Sequence, residues 1–267
     1  MPAINLPRLR QQAAELAGLF DQPEAFLRSL NDLLDLYADR VHRFGQAGEP
    51  PPLIKAYHVP PPMLRQLALE LNPYAAQDAA RTLALCDLLW EEPMLEPRLL
   101  AAMLLGQAPL TPVEMIAERV QRWAQPISED RLINALVQHG LSRVSREQPQ
   151  RLLQQSSEWL TSGDTSLERL GLRALLLLVS APNFDNLPAV LHQLMPFVRA
   201  APFPIRADII DLLIALARRS PRETAYSLRQ TLEAPDHPET AWFIRQTMNY
   251  FPAETQASLR TALRQSR

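Results

Sequence analysis

One cysteine, one lysine and seven glycines stand in a chain of 267 residues. The lone thiol, Cys86, has no partner for an internal disulfide and cannot anchor a cysteine-based metal cluster, so the sequence reads as a cytoplasmic protein without a metal site. The five histidines, at 42, 58, 139, 192 and 237, are scattered and never form the H-E-x-x-H spacing of a zinc hydrolase. Neither a Gly-rich phosphate loop nor a G-x-S-x-G elbow occurs, which argues against nucleotide cofactors and serine hydrolase chemistry. Long apolar runs are also missing. Runs such as Ala174 to Val179 are too short to cross a bilayer, and Arg8, Arg10 and Glu15 interrupt any apolar leader.

No charge of one sign dominates, the formal net charge being −2. Residues 1–100 carry 9 basic and 13 acidic side chains, and residues 101–267 carry 18 and 16, a small bias of the second part towards an anionic partner. Lys55 is the only lysine, so the basic groups are guanidinium forks suited to phosphate or carboxylate.

What is abundant is helix-forming. Leu, Ala, Arg, Gln and Glu dominate, while alternation of β-branched or aromatic residues with polar ones is rare. The 25 prolines are compatible with helices only at their starts and between them. Thr111-Pro112 with Glu114, and Ser220-Pro221 with Glu223, read as capping boxes. Ser128 reads as a further start, and Gly45, Gly106 and Gly140 as stops. Helices are predicted over 7–20, 23–44, 61–72, 75–91, 94–106, 112–124, 129–139, 148–162, 165–181, 186–199, 205–219, 221–233, 238–251 and 253–265. Short links favour antiparallel neighbours, and pairs recur at the spacing of HEAT-type arrays. The expected fold is therefore all-α: a HEAT-like or armadillo-type α-solenoid of antiparallel helical hairpins. It spans 1–267 as a single domain, with an N-terminal helical pair (1–45), a Pro-rich connection (46–60) and the main array (61–267).

Several segments resemble a known family in order and spacing. Lys55-Ala-Tyr-His-Val-Pro-Pro-Pro-Met-Leu-Arg-Gln-Leu-Ala-Leu69 resembles the lead-in of the DNA alkylation repair family, the HEAT-like alkylpurine DNA glycosylases. Asp87-Leu-Leu-Trp90, then Glu96-Pro-Arg98 running to Gly106, resemble its next two helices. Trp123 opens a segment like its central pair, Trp159 and Ser162 precede an arginine-bearing helix at 167–175, and Trp242–Phe251 resembles its last helix. The same tryptophans and leucines also suit an ordinary helical core, and Arg98 suits a scaffold ion pair.

The resemblance, over about residues 50–252, implies a concave solenoid that takes duplex DNA. In active relatives two aromatics and an aspartate face the damaged nucleotide, the carboxylate stabilising an oxocarbenium-like sugar. Aligned on Trp123 and the following leucine stripe, those positions fall on Asp130, Asn134 and Ser166, so all three catalytic side chains are replaced. The resemblance thus implies a DNA-binding member with weakened or absent glycosylase activity. If active, it would release 3-methyladenine- or 7-methylguanine-type bases, with Asp130, one turn from Asn134, as the remaining carboxylate. Arg143, Arg146, Arg169, Arg173 and Arg206, with Arg151 beside them, are the expected phosphate contacts. The alternative is a non-catalytic scaffold that binds a protein partner on the same fold. Neither reading requires a cofactor, a metal or a membrane.

Overall fold

In the computed structural model, residues 5–39, 54–109, 114–125, 129–235 and 238–266 are described, and among them the chain is all-α. The helices are α1 (Leu6–Ala17), α2 (Pro23–Leu36), α3 (Pro61–Ala75), α4 (Ala79–Glu91), α5 (Leu95–Leu105), α6 (Glu114–Ala124), α7 (Asp130–Ala135), α8 (Ser142–Glu147), α9 (Pro149–Leu160), α10 (Thr165–Ser180), α11 (Leu187–Arg199), α12 (Arg206–Arg219), α13 (Pro221–Glu233), α14 (Thr240–Thr247) and α15 (Ala253–Gln265). A π-helical turn, Leu136–Gly140, continues α7, and 3₁₀ turns cover Phe203–Ile205 and Met248–Tyr250.

Sequence chemistry explains the starts. Proline occupies the first or second position of α1, α2, α3, α9, α11 and α13, where its missing N–H leaves no bond unmade. Side-chain oxygens cap α1, α4 and α10. Asn5 accepts from Arg8 N at 3.2 Å, Asp78 from Arg81 N at 3.0 Å, and Asp164 from Ser166 N at 2.8 Å and Leu167 N at 3.1 Å. The capping box expected at Ser220 takes a different form: its hydroxyl donates to the Glu223 carboxylate at 2.7 Å and caps no backbone N–H. The expected features at Thr111, Ser128 and Gly45, and most of the Pro-rich connection, lie outside the described residues.

Other expectations shift. Helix α2 ends at Leu36 rather than 44, where Tyr37 turns its hydroxyl onto Gln12 of α1 at 2.9 Å. Helix α3 runs through Pro73 to Ala75, because a proline in the last turn costs only one bond near the helix end. The short α8 has no counterpart among the predicted helices, and the helix predicted over 129–139 is α-helical only to Ala135.

The helices cluster into two compact units, residues 1–144 and 145–267. In the first, α1 packs on α3, α3 on α5 and α5 on α7, while α2 packs on α4. In the second, α10 packs on α12 and α12 on α14, with α9, α11, α13 and α15 forming the adjacent row. Each helix thus touches its hairpin partner or the equivalent helix of the next hairpin, the packing of a HEAT-like repeat. Leucines fill the seams: Leu67, Leu71, Leu85, Leu89, Leu100 and Leu104 are fully buried in the first unit, and Leu170, Leu175, Leu212 and Leu216 in the second. Each is worth about 1.5–3 kcal/mol on removal from water.

Gly106 ends α5, as the sequence indicates, but not for its conformational freedom, since its φ is −70°. It is required by close approach: a Cβ there would lie 1.9 Å from the His139 carbonyl oxygen in the π turn. Gly106→Ala should therefore lower stability by about 1–3 kcal/mol, read from the urea midpoint. Gly140→Ala, whose added carbon meets Leu105 Cδ2 at 3.4 Å, should cost clearly less; equal effects would contradict the contact. Burial raises the Cys86 pKa, and the side chain is fully enclosed. A thiol reagent should therefore label the chain only after unfolding, and rapid labelling of the native protein would contradict that burial.

Candidate nucleic-acid interface

Helix α7 begins at Glu129, which turns inward: it is buried, and its carboxylate accepts from Arg131 N at 3.4 Å. Asp130 and Asn134 follow on the outer side, both exposed and four residues apart, so they share one face of α7. The wider π turn starts directly after Ala135, and insertions of this kind recur at functional sites. Beside it lies a pocket of about 220 Å³ lined by Arg65, Leu69, Asn72, Met103, Gln107 and His139. Asn72 Oδ1 there is buried without a hydrogen-bond partner among the described residues. Ser166 sits in the second unit, in the first turn of α10, half-buried, its backbone N–H taken by the Asp164 cap. The structure therefore brings Asp130 and Asn134 together on α7 and carries Ser166 on another unit.

Three of the four tryptophans, Trp90, Trp123 and Trp159, serve the core. Trp90 and Trp123 stack at 4.6 Å with planes 10° apart, and the Arg98 guanidinium lies 5.9 Å from the Trp90 ring. Trp159 is 1% exposed. Nearby, Asp87 gathers Arg119 at 2.8 Å and Arg122 at 2.7 Å, which ties α4 to α6. Arg98 donates to the Glu92 backbone carbonyl at 2.6 Å, and the Glu92 carboxylate is the acid that acts on it. Glu96, two residues before Arg98, is buried and accepts from Tyr57 N at 2.9 Å and His58 N at 2.7 Å. That clamp, with Leu95 N donating to Lys55 O at 2.8 Å, fastens the Tyr-His-Val-Pro lead-in and holds His58 at φ 58°.

Four of the five expected phosphate arginines are half-buried and engaged within their own unit. Arg143 donates to the Gln107 and Ala108 carbonyls at 3.1 and 3.3 Å, just beyond the end of α5, where carbonyls lack helical partners. Arg169 and Arg173 on α10 both close on Asp208 of α12, Nε to Oδ2 at 2.9 Å and Nε to Oδ1 at 2.7 Å. Asp208 is 6% exposed. Arg206 donates to Glu239 at 2.7 Å and lies between two aromatic rings. Arg146 alone of the five is exposed.

Sequence reasoning missed Asp208 as the shared counter-ion, because an acid 35 and 39 residues away from its two arginines carries no signal of which ones will reach it. It also missed Arg219, which donates to the carbonyls of Val179, Ala181, Pro182 and Phe184 and closes the end of α10. Removing Asp208 leaves two partly buried guanidiniums without their acid. Asp208→Ala should cost about 3–5 kcal/mol in urea unfolding, against less than about 1 kcal/mol for Asp21→Ala, whose pair with Arg81 is exposed on both sides. Equal costs would mean that the clamp contributes nothing to stability.

No helix among the described residues is long and apolar enough to cross a membrane, and no group of His, Cys, Asp and Glu there has the arrangement of a metal site. No curated protein matches the chain. Among solved structures, the crystal structure of an engineered protein matches at 14% identity with a TM-score of 0.36. The match covers 94% of this chain and 66% of that one, so this chain spans just under two thirds of its length. A family model described as DNA alkylation repair enzyme matches residues 38–226, well over half of the sequence and parts of both units. With all-α hairpin packing and that match together, the chain belongs to the DNA alkylation repair enzyme family.

Proposed function

We propose that this chain binds duplex DNA and has lost the base-excision chemistry of an alkylpurine glycosylase. The family match supports a DNA substrate. The observation that carries the second half is the exposed amide of Asn134 on α7, at the position where the resemblance puts the catalytic aspartate. An amide supplies no negative charge to a cationic sugar. Asp130 is also exposed on that face but stands one turn away, about 5.4 Å along the axis, which is too far for a group that must meet the same atoms. DNA contact in this reading falls, in the first unit, to the exposed face of α7 and, in the second, to Arg146 and to the exposed Arg218 of α12 and Arg245 of α14.

A scaffold that binds a protein is the second reading. It is favoured by an open, largely apolar groove of about 790 Å³ between α11 and α13, lined among others by Leu191, Met195, Pro196 and Tyr226.

Fluorescence anisotropy with a labelled duplex separates the two. The DNA reading expects micromolar binding that weakens steeply with salt, the log–log plot falling with a slope of about −0.9 for each phosphate the protein neutralises. Arg146→Ala should make that slope shallower by about one phosphate's share. Salt-insensitive or undetectable binding would remove the DNA reading in favour of the scaffold. In parallel, alkylated duplex should release no base with the wild type. Base release that disappears in Asp130→Asn would show instead an active enzyme with its carboxylate one turn earlier.

A further inference from the structure

Phe203 is the most exposed large apolar side chain among the described residues, at 81%. It belongs to Ala201-Pro202-Phe203-Pro204-Ile205, where the flanking prolines restrict the backbone and Ile205, fully buried, anchors the 3₁₀ turn. The ring does not lie loose on the surface. The Arg206 guanidinium sits 5.6 Å from its centroid and 5.5 Å from that of Trp242, which is itself braced edge-on by Phe243 at 5.0 Å. Glu239 holds Arg206 from the side at 2.7 Å. A phenyl ring is thus supported by a fixed cation and presented to solvent by a stiff turn.

We propose that Phe203 is a stacking platform for an unpaired DNA base. The inference rests on the DNA-binding reading above and names the part of the chain that meets a base rather than the phosphate backbone. Three features select this occupant. A flat, exposed π-face with restricted backbone freedom matches the flat face of any nucleobase and loses little entropy on contact. Arg206 is already neutralised by Glu239, so the turn offers stacking rather than a charge for phosphate. On α12 and α14 the exposed Arg218 and Arg245 outnumber the exposed Asp211, a small surplus suited to the backbone of a polyanion. A paired base hides both faces in the duplex, so the platform serves a base already out of the stack, at a bulge, a lesion or a single-stranded gap.

The test compares two labelled duplexes, one fully paired and one with a single bulged base, against wild type, Phe203→Ala and Phe203→Trp. Because Phe203 is on the surface, neither substitution threatens the fold. Phe203→Ala should weaken binding of the bulged duplex about 5- to 150-fold, the equivalent of ~1–3 kcal/mol per stacked base, and leave the paired duplex unchanged. Phe203→Trp should retain the affinity and show fluorescence quenching on the bulged duplex beyond that of the wild type. If the wild type binds both duplexes and Phe203→Ala binds them equally well, the platform is refuted while DNA binding stands; a protein as the true occupant of the turn would give this result. Equal weakening on both duplexes would also refute it, because Phe203 would then touch ordinary duplex. If the wild type binds neither, this inference and the DNA reading fall together.

Discussion

A carboxylate withdrawn from water must be met by donors, and two such groups, Glu96 in the first unit and Asp208 in the second, tie sequence-distant segments together. Isolated, a buried acid costs several kcal/mol even after relaxation. Glu96 meets that demand with two backbone N–H groups, those of Tyr57 and His58. Because those donors belong to the segment leading into α3, satisfying Glu96 fixes where α3 enters against α5. Asp208 meets it with the Nε atoms of Arg169 and Arg173, which fixes the seam between α10 and α12. In both places the clamp adds directional hydrogen bonds to non-directional leucine packing. This gives a physical reason for the motifs by which the sequence resembles its family. The Tyr-His-Val-Pro lead-in and the Glu-Pro-Arg helix start are two halves of one contact, although 38 residues separate His58 from Glu96.

The same constraint bears on DNA binding. An arginine locked to a buried acid is not a loose phosphate ligand, since pulling it away would leave the acid uncompensated. Arg169 and Arg173 are held in this way by Asp208. Arg143 and Arg219 are taken up by carbonyls at or just beyond helix ends, for which a guanidinium with five donors is better shaped than an ammonium. The near absence of lysine has a structural consequence here, because these roles need a fork. It also means that the arginine excess of the second part of the chain overstates the charge available to a polyanion.

Local chemistry is legible in the sequence and long-range chemistry is not. Proline at the first positions of α9 and α13 and the leucine stripes depend on neighbours within one helical turn, so pattern alone locates them. The π turn after Ala135 cannot be read this way, and its close approach to Gly106, some thirty residues earlier in sequence, exists only once the chain is folded. Gly106 itself reads as a helix end, yet its φ is ordinary, and what matters is the missing Cβ. The arginines show the same limit. Their spacing of four puts Arg169 and Arg173 on one helix face, but that face meets Asp208, and only the packing of α10 on α12 reveals it.

If Asn134 stands where the family carries its aspartate, as proposed above, magnitudes decide how much an amide in place of an acid matters. A unit charge about 4 Å from a developing cation is worth about 4 kcal/mol at an effective dielectric constant of about 20, which corresponds to about a thousandfold in rate. Moving the charge one turn away, to Asp130, roughly doubles the separation and more than halves that benefit, because water penetrates an exposed helix face and screens it. Binding is affected much less. A neutral amide removes a repulsion between the protein and a phosphate backbone, and Asn134 keeps the hydrogen-bonding capacity to meet DNA. On the proposed reading, an amide at 134 would therefore separate two properties that a carboxylate would combine: it would withhold most of the electrostatic help for breaking a glycosidic bond while leaving the surface compatible with DNA.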